Sequence, residues 1–282
     1  MIDLHTHSIA SDGSDTPSEL LGLALERKLT GIALTDHDTL SGLPEFLARA
    51  RGENIIAVPG LEISSSLYNK EIHILGLFID PSSEKLADFL LKTRQNRNSR
   101  NSQILEKLNI MGYRITLEEL ESFAQGESIG RPHLARLLVK KEYFETIQDA
   151  FDHCLKRGAR AYSPRVLAPP EESIRVIHEA GGLAFWAHPV YRTSGGERSF
   201  VRRYLRQLVP LGLDGIEAFY SLFSVAQHTM ILEMAKEFNI LVSGGSDYHG
   251  MNQPSIQLGT GSGSLEVPDS VLETLLARRA AR

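Results

Sequence analysis

The sequence predicts an α/β barrel that is interrupted by an α-helical insert. Strand and helix patterns alternate over residues 1–80 and again over 163–282, which is typical of βα units around a parallel sheet. Residues 81–162 carry helix patterns without a convincing strand. Histidines and carboxylates recur just after the strand patterns, the end where barrels carry their functional residues. We therefore assign 1–80 and 163–282 to the barrel and 81–162 to an insert that forms a lid over the site.

Local signals define the elements of the barrel. Apolar runs predict strands at 2–4, 31–35, 55–58 and 71–78, and a helix is predicted at 43–51. Another helix begins after Thr16, because Pro17 and Glu19 complete a capping-box pattern with proline in the first turn. The last part predicts helices at 170–180, 199–211, 225–238 and from about 268, and strands at 183–187, 215–219 and 240–243.

The insert is predicted to contain four helices. The first covers 83–111 and ends before Gly112, and Thr116 caps the second with Glu119 at its third position. Pro132 opens the third helix, and 148–156 forms the fourth. Arginine and lysine are concentrated here, although the whole chain has a formal net charge of −5. We therefore expect the insert to bind an anionic ligand.

The composition and charge of the 282 residues predict the location and the partners of the protein. No apolar stretch is long enough to span a bilayer, and the sequence does not begin with a basic and then apolar leader. The only cysteine, Cys154, has no internal disulfide partner, so we expect a cytoplasmic protein without a membrane partner. The negative net charge argues against duplex DNA as a partner. No long exposed apolar stripe is evident, and we expect a monomer.

Nine scattered residues are candidate ligands of one metal centre. They include six of the ten histidines, and most of them follow a predicted strand. Two pairs are separated by a single residue, which lets both side chains of a pair point the same way after a strand. The nine, called the ligand cluster below, are His5, His7, Asp12, His37, Glu62, His73, His188, Asp247 and His249.

Single members of the ligand cluster have ordinary alternatives. His37 alone is typical of a hydrogen-bonded loop histidine, and His73 alternates in phase with Leu75, which suits burial without a metal. Their joint occurrence favours a metal centre, because neither solvated nor core histidines have a reason to accompany carboxylates at strand ends. Imidazole and carboxylate ligands without thiolate favour Mn²⁺, Zn²⁺ or Fe²⁺. Nine ligands exceed the needs of one tetrahedral ion, so two or three divalent ions are expected.

The chain resembles the PHP (polymerase and histidinol phosphatase) superfamily over essentially its whole length. The resemblance rests on four motifs in the order of that family: Asp3-Leu4-His5-Thr6-His7-Ser8, Thr35-Asp36-His37-Asp38, Ala187-His188-Pro189 and Ser246-Asp247-Tyr248-His249. It implies a distorted (βα)7 barrel, a trinuclear metal centre with Mn²⁺ as the expected ion, and hydrolysis of phosphate esters.

By motif position, the resemblance distributes the ligand cluster over three ions. One ion would be held by His5, His7, Glu62 and Asp247. A second would be held by Glu62, His73 and His188, and a third by Asp12, His37 and His249. Glu62 would bridge the first two. No ligand of the family pattern is missing, so an inactive member is not expected.

The insert resembles one branch of this family. Gly130-Arg131-Pro132-His133-Leu134-Ala135-Arg136 follows an arginine-rich helix, as in stand-alone members that hydrolyse 3′,5′-bisphosphonucleotides such as pAp. Some members of that branch trim short RNA from its 5′ end. A small phosphorylated nucleotide or an RNA 5′ end is therefore the expected partner.

A bisphosphorylated substrate needs a second anion site beside the metals. Our candidates for it are Arg100, Asn101, Arg131 and His133. Arg94 and Arg97 are equally well explained as a solvated basic surface, and Arg165 is a weaker candidate. Tyr220 and Tyr248 could stack on a base or simply pack, and Glu217 could orient a metal ligand.

The expected mechanism is in-line attack on phosphorus by a metal-bound hydroxide. His133, as general acid, or a metal-bound water would protonate the leaving oxygen. A histidinol-phosphate phosphatase would share every metal ligand and is the main alternative. A non-catalytic metal-binding module and an amide or ester hydrolase are further alternatives. The arginine-rich insert argues against the last of these.

Overall fold

Seven strands follow one another in chain order around a nearly closed barrel. This computed structural model describes residues 1–124, 126–190 and 196–281. The strands are β1 (Ile2–Asp3), β2 (Gly31–Leu34), β3 (Ile56–Leu67), β4 (Lys70–Leu77), β5 (Leu183–Trp186), β6 (Gly215–Tyr220) and β7 (Leu241–Gly245). The barrel closes where Leu4 N donates to Gly244 O at 3.0 Å and Asp247 N donates to His5 O at 2.9 Å. The predicted distorted seven-stranded barrel is confirmed.

One strand runs against the others. β4 pairs antiparallel with both β3 and β5, whereas the remaining neighbours are parallel. Tyr68 and Asn69 link β3 to β4 with φ values of 53° and 58°, as in a two-residue hairpin turn. The prediction of a wholly parallel sheet was therefore wrong here. A parallel crossover needs a dozen or more residues, and only two separate these strands.

The helices agree closely with the sequence patterns. They are α1 (Pro17–Glu26), α2 (Leu43–Arg49), α3 (Glu84–Ile110), α4 (Leu117–Ala124), α5 (Arg131–Lys140), α6 (Ile147–Ala150), α7 (Pro170–Glu179), α8 (Glu197–Leu208), α9 (Val225–Phe238) and α10 (Asp269–Ala280). The predicted helix at 148–156 is instead the short α6 followed by a π-helical turn, Phe151–Leu155. No helix in the described part of the chain is both long and apolar enough to cross a membrane.

The hydrophobic core has three parts. One lies between the barrel and its surrounding helices. A second fills the barrel and is covered by α10, through residues such as Leu75, Phe185 and Leu272. A third holds α3 to α6 together around residues such as Leu108 and Leu138. This separate core fits an insert with its own packing, and the boundaries at 81 and 162 stay a prediction.

Asp3 stabilises the closure of the barrel between β1 and β7. Its side chain is fully buried. Oδ1 accepts the N–H of Ser246 at 2.8 Å and that of His5 at 3.3 Å, and Oδ2 accepts the N–H of Gly259 at 2.7 Å. One carboxylate therefore satisfies backbone groups after both β1 and β7, the strand ends that carry candidate ligands, and a third in the loop at Gly259.

Replacing Asp3 with Ala would leave these three N–H groups without an acceptor. We expect the free energy of unfolding to fall by at least about 3 kcal/mol, because three buried N–H groups lose their acceptor and each costs about 1–3 kcal/mol. Urea denaturation of the EDTA-treated protein measures this. The control is Asp152→Ala, which removes an exposed i,i+4 partner of Lys156 and should leave the free energy of unfolding nearly unchanged. Equal effects of the two substitutions would contradict the role of Asp3.

Candidate metal centre and anion pocket

Glu62 lies at the centre of the ligand cluster. It occupies the part of β3 that continues past the barrel rim, and its side chain is fully buried. Nitrogen atoms of five imidazoles lie 2.8–3.4 Å from its two carboxylate oxygens: His5, His7, His37, His73 and His188. A carboxylate in this position can bridge two cations.

Asp247 forms the second centre of the ligand cluster. Its Oδ1 lies 3.2 Å from Nε2 of His7 and 3.4 Å from Nε2 of His5. The hydroxyl of Tyr220 donates to Asp247 Oδ2 at 2.9 Å. His249 Nδ1 lies 2.8 Å from the Asp247 carbonyl oxygen. Donation to that carbonyl leaves Nε2 of His249 as the ligand atom.

Asp12 lies at the other end of the ligand cluster. Its Oδ1 is 3.3 Å from His249 Nε2 and 3.9 Å from His7 Nδ1. The loop that carries Asp12 is held by Asp36, which accepts the hydroxyl groups of Ser8 at 2.7 Å and of Ser11 at 2.6 Å. This buried carboxylate, one residue before His37, thereby couples two motifs of the sequence.

The barrel brings these residues to one rim. His5 and His7 follow β1, with Thr6 between them pointing away to donate to Ala33 O at 2.6 Å. His73 reaches the same rim because β4 runs in the opposite direction, so its first half lies there. His188 and Asp247 have φ values of 29° and 58°. Such sparsely populated backbone conformations concentrate at functional sites.

The donor atoms form four overlapping groups within 4.8 Å of one another: His7, Asp12, His37 and His249; His5, Glu62 and His188; His5, His7 and Asp247; and His37, Glu62 and His73. All nine members of the ligand cluster are present in these groups. The grouping differs from the motif assignment, because His37 also joins Glu62 and His73, and His188 joins His5. The distribution of ligands over individual ions stays a prediction.

The ligand cluster fits divalent cations. Within the described part of the chain, five of its buried donor atoms have no hydrogen-bond partner: Nε2 of His5 and His7, Asp12 Oδ1, His37 Nδ1 and Glu62 Oε2. Unpaired buried polar atoms are costly, so such a concentration indicates atoms that bind cations. Two ligands of one cation, each at roughly 2.1 Å from it, lie about 3.0–3.4 Å apart. Most contacts within the ligand cluster have that length.

The electrostatics of the ligand cluster agree with this interpretation. Burial disfavours the charged form of His7, but Asp247 and Glu62 outweigh it and raise the pKa of His7 to about 10. Burial likewise opposes the charge of His73, whose pKa Glu62 and Glu71 raise to about 10. Despite burial, surrounding histidines hold the pKa of Glu62 well below its usual range. Divalent cations would replace these protons, since metal ligands are deprotonated.

Glu217 contacts the ligand cluster from within β6. It is fully buried, and its Oε1 lies 2.9 Å from His5 Nδ1. Its Oε2 accepts the backbone N–H of His188 at 2.7 Å. These contacts direct Nε2 of His5 toward Glu62 and Asp247. The geometry is that of a carboxylate that orients a metal ligand, and a charged residue within an apolar strand was its signal in the sequence.

A cavity of about 470 Å³ opens beside His37, His73 and His188. Four arginines line it: Arg97, Arg100, Arg131 and Arg165. Two carboxylates hold some of them in place. Asp38 pairs with Arg97 and lies 3.3 Å from Arg165, and Glu71 lies 3.5 Å from Arg165 and 4.0 Å from Arg131. Four guanidinium groups against two carboxylates leave an excess of positive charge, which suits an anion.

Arg100 is the arginine of this cavity with the strongest need for a partner. Burial, together with the charges of Arg97, Arg131 and Arg165, lowers its pKa to about 9. Among the described residues, its buried Nε atom has no hydrogen-bond partner. A phosphate group in the cavity would supply both a counter-charge and an acceptor.

Two of the four predicted substrate residues do not line this cavity. Asn101 is buried and donates its Nδ2–H to Ile129 O at 2.9 Å, which fixes the turn before α5. His133 Nδ1 accepts the N–H of Gly130 at 3.1 Å, and its ring also bonds to the backbone of Ser11. Burial lowers the pKa of His133 to about 4. A neutral, hydrogen-bonded imidazole is a poor proton donor, so the geometry does not favour the predicted general acid.

Sequence reasoning ranked two arginines of the cavity too low and did not identify one carboxylate. Arg97 and Arg165 ranked below Arg100, yet both are nearly buried and paired with Asp38. Glu71 was not identified, although it lies two residues before His73 on β4 and therefore on the same face of the strand. Tyr220 and Tyr248 are buried, and their hydroxyls donate to Asp247 and Asp15, so packing rather than base stacking describes them.

Glu62→Gln tests the centre of the ligand cluster. We expect the variant to lose at least one equivalent of bound metal per chain, because the amide removes the negative charge between five imidazoles. Elemental analysis after dialysis against Mn²⁺ measures it. The matched control is Asp38→Asn, a fully buried carboxylate that faces arginines, and it should keep the full metal content. Unchanged metal content in Glu62→Gln would contradict the assignment.

Glu217→Gln tests the orienting contact. We expect Mn²⁺ affinity to weaken about 10–100-fold, as is usual when a hydrogen-bond partner of a ligand is lost. Calorimetric titration of the metal-free protein measures this affinity. Glu127→Gln, which removes an exposed carboxylate paired with Arg94 on the insert, serves as the control. Wild-type affinity in Glu217→Gln would show that the orientation of His5 does not depend on this carboxylate.

Comparisons with known proteins agree with this geometry. The chain is 34% identical over 264 residues to the 5′-3′ exoribonuclease Rnm of Escherichia coli, covering 91% of this chain and 87% of that protein. It is 33% identical over 249 residues to a 3′,5′-nucleoside bisphosphate phosphatase of Chromobacterium violaceum, covering 88% and 87%.

A solved structure extends the likeness to the fold. A proposed metal-dependent phosphoesterase from Bifidobacterium adolescentis superposes with a TM-score of 0.86 at 29% identity, over 98% of this chain and 96% of that one. The sequence model of the PHP domain matches residues 3–162. These matches bear out the resemblance seen in the four motifs and the assignment as a hydrolase of phosphate esters. The chain therefore belongs to the PHP family of metal-dependent phosphoesterases.

Proposed function

We propose that the protein hydrolyses a phosphate ester of 3′,5′-bisphosphonucleotides such as pAp and trims short RNA from its 5′ end by the same chemistry. The observation that carries this proposal is the arginine cluster, Arg97, Arg100, Arg131 and Arg165, in the same cavity as part of the ligand cluster. A substrate with one phosphate would leave the arginines unused. A substrate with two phosphates would occupy both the ligand cluster and the arginine cluster.

The spacing of the two clusters suits the 3′ and 5′ phosphates of one ribose. Glu71, which pairs with Arg131 and Arg165, lies two residues from His73 on β4. Glu71 Oε1 lies 3.6 Å from His73 Nε2, so the arginine cluster adjoins the ligand cluster and one nucleotide can reach both with its two phosphates. A 5′-phosphorylated RNA presents the same pair on its first ribose. Both activities named among the relatives therefore fit one geometry.

When bound at the ligand cluster, divalent cations would lower the pKa of a water molecule and neutralise charge on the reacting phosphate. The chain supplies the positioning. Glu217 fixes the orientation of His5, and Tyr220 fixes that of Asp247. Arg100 and Arg131 donate to the phosphate that does not react. Because Asp38 and Glu71 already hold the neighbouring guanidinium groups, this anion site needs little reorganisation on binding.

The proposal also covers the substrate lid, the metal ion and the oligomeric state of the protein. The insert of 81–162 contributes Arg97 and Arg100 from α3 and Arg131 from α5, as a substrate lid would. Mn²⁺ is the proposed ion, because the imidazole and carboxylate ligands suit it. A monomer that acts on nucleotides or RNA ends rather than on duplex DNA is also proposed. The cytoplasmic location stays a prediction.

Histidinol phosphate is the competing substrate. It has a single phosphate and a positively charged amine. The excess positive charge of the cavity would repel that amine, whereas it attracts a second phosphate. The ligand cluster would serve both substrates equally, so the support for the bisphosphate comes from the arginine cluster.

Phosphate release from pAp, 5′-AMP, histidinol phosphate and a short 5′-phosphorylated RNA by the Mn²⁺-loaded protein tests the proposal directly. Nucleotide release is followed in parallel for the RNA. We expect pAp and the RNA to be turned over with higher kcat/KM than the two monophosphates. Turnover of histidinol phosphate alone would overturn the substrate, and bound metal without any turnover would overturn the enzymatic function.

Arg100→Met tests the second anion site. The substitution keeps an unbranched apolar stem and removes the charge. We expect KM for pAp to rise at least about tenfold, because a charge-assisted hydrogen bond contributes about 1.5–3 kcal/mol. Hydrolysis of p-nitrophenyl phosphate, which has no second phosphate, should change much less. Arg157→Met, at an exposed position of the insert, is the control. Equal losses on both substrates would argue against a second anion site at Arg100.

A further inference from the structure

A line of aromatic rings leads from the cavity to the outer surface. Phe200, in the first turn of α8, lines the cavity. Its ring centroid lies 4.3 Å from that of Tyr204, which in turn lies 5.5 Å from that of Tyr68 at the β3–β4 turn. Tyr204 is buried, whereas Tyr68 is 50% exposed. The two outer rings are therefore separated by a single buried ring.

Two cations accompany these rings. Lys70 Nζ lies 5.4 Å from the ring centroid of Phe200, and Lys70 also lines the cavity. Arg203 Cζ lies 5.2 Å from the ring of Tyr68 and 5.4 Å from that of Tyr204. We call these five residues, Tyr68, Lys70, Phe200, Arg203 and Tyr204, the aromatic strip.

The positive charge of the aromatic strip is not neutralised by neighbouring carboxylates. Within the described ranges, neither Lys70 nor Arg203 has a carboxylate within ion-pair distance. On the same helix as Arg203, Arg198 pairs with Glu233 and Arg202 pairs with Glu237 at 2.7 Å. Arg203, which belongs to the aromatic strip, is thus available to a ligand. Arg198 and Arg202 instead bind carboxylates of α9.

The backbone holds the aromatic strip in place. Leu67 pairs with Lys70 across the hairpin, and Tyr204 lies with its hydroxyl 3.5 Å from Leu67 O. The strip therefore joins the hairpin end to α8. An exposed ring and a ring in the cavity, each beside a cation, match the pattern that binds single-stranded nucleic acid, since bases stack on rings and phosphates contact cations.

We propose that the aromatic strip binds the nucleotides that follow the one held in the cavity, so that the protein takes single-stranded RNA rather than only mononucleotide bisphosphates. The inference rests on the proposed function and adds a binding surface outside the catalytic cavity. Two arguments choose this partner. The strip is continuous with the cavity through Lys70 and Phe200, and its unneutralised cations complement a polyanion. A duplex does not fit, because its bases are not free to stack on protein rings.

Binding to metal-free protein in EDTA tests the proposal without turnover. The probe is a 5′-phosphorylated adenosine pentanucleotide with fluorescein at its 3′ end, followed by anisotropy. Tyr68→Asn and Arg203→Ala should each raise its Kd at least about fivefold, since stacking of one base on an aromatic side chain is worth that much or more. Asn is chosen at position 68 because φ is 53° there, a conformation that Asn tolerates.

Three matched measurements separate RNA binding from structural effects. Tyr68→Phe keeps the ring and should bind RNA like the wild type. Arg206→Ala removes an exposed arginine one turn further along α8, whose charge acts on Glu237, and should change little. The only tryptophan, Trp186, lines the cavity, so its fluorescence reports pAp binding. The Kd for pAp should stay within about twofold in Tyr68→Asn and Arg203→Ala.

Salt dependence provides a second signature. Loss of one phosphate contact in Arg203→Ala should reduce the slope of log Kd against log salt by about one for the RNA. Two results would overturn the proposal that the aromatic strip binds RNA. One is wild-type RNA affinity in both Tyr68→Asn and Arg203→Ala, and the other is an equal loss of affinity for pAp and for RNA. Absence of turnover with Mn²⁺, together with the expected binding effects, would instead overturn the proposed function and leave the strip standing.

Discussion

A single buried carboxylate organises the site. Glu62 is surrounded by nitrogens of five imidazoles at 2.8–3.4 Å, and it comes from a strand that runs on past the barrel rim. A carboxylate in such a place is stable only when opposite charge surrounds it, supplied either by protonated imidazoles or by cations. The orphaned donor atoms and the left-handed backbone at His188 and Asp247 are consistent with a rim built to hold cations.

The reversed direction of β4 shapes the arginine-lined cavity beside the ligand cluster. Because β4 begins at the rim where the other strands end, both His73 and Glu71 lie there. His73 faces Glu62, while Glu71 faces the arginines that α5 and the 163–169 segment bring over the barrel. The hairpin that causes the reversal also carries Tyr68 and Lys70. One local event, a two-residue turn, therefore positions a candidate metal ligand, an anchor for arginines and an exposed aromatic surface.

The insert and barrel are joined by charge as well as by packing. Asp38, one residue after His37, pairs with Arg97 of α3 and contacts Arg165, where the chain returns to the barrel. Despite burial, these arginines hold the pKa of Asp38 below its usual range. Burial of both partners makes the pair sensitive to the loss of either one. The cavity thus depends on the ion pair between Asp38 of the barrel and Arg97 of the insert.

The sequence by itself determined the barrel with its helical insert, the family, and the nine residues that the structure gathers at one rim, because motif spacing and strand-end positions are local signals. It also determined the helix starts at Thr16 and Thr116, where capping patterns are visible in the chain. Only the tertiary structure decided the direction of β4, the burial of Arg97 and Arg165 against Asp38, and the backbone contacts that occupy His133. The ion pairs of Asp38 with Arg97 and Arg165 and the contact of His133 with Ser11 join residues distant in sequence. No local pattern records which buried partner such a side chain will meet.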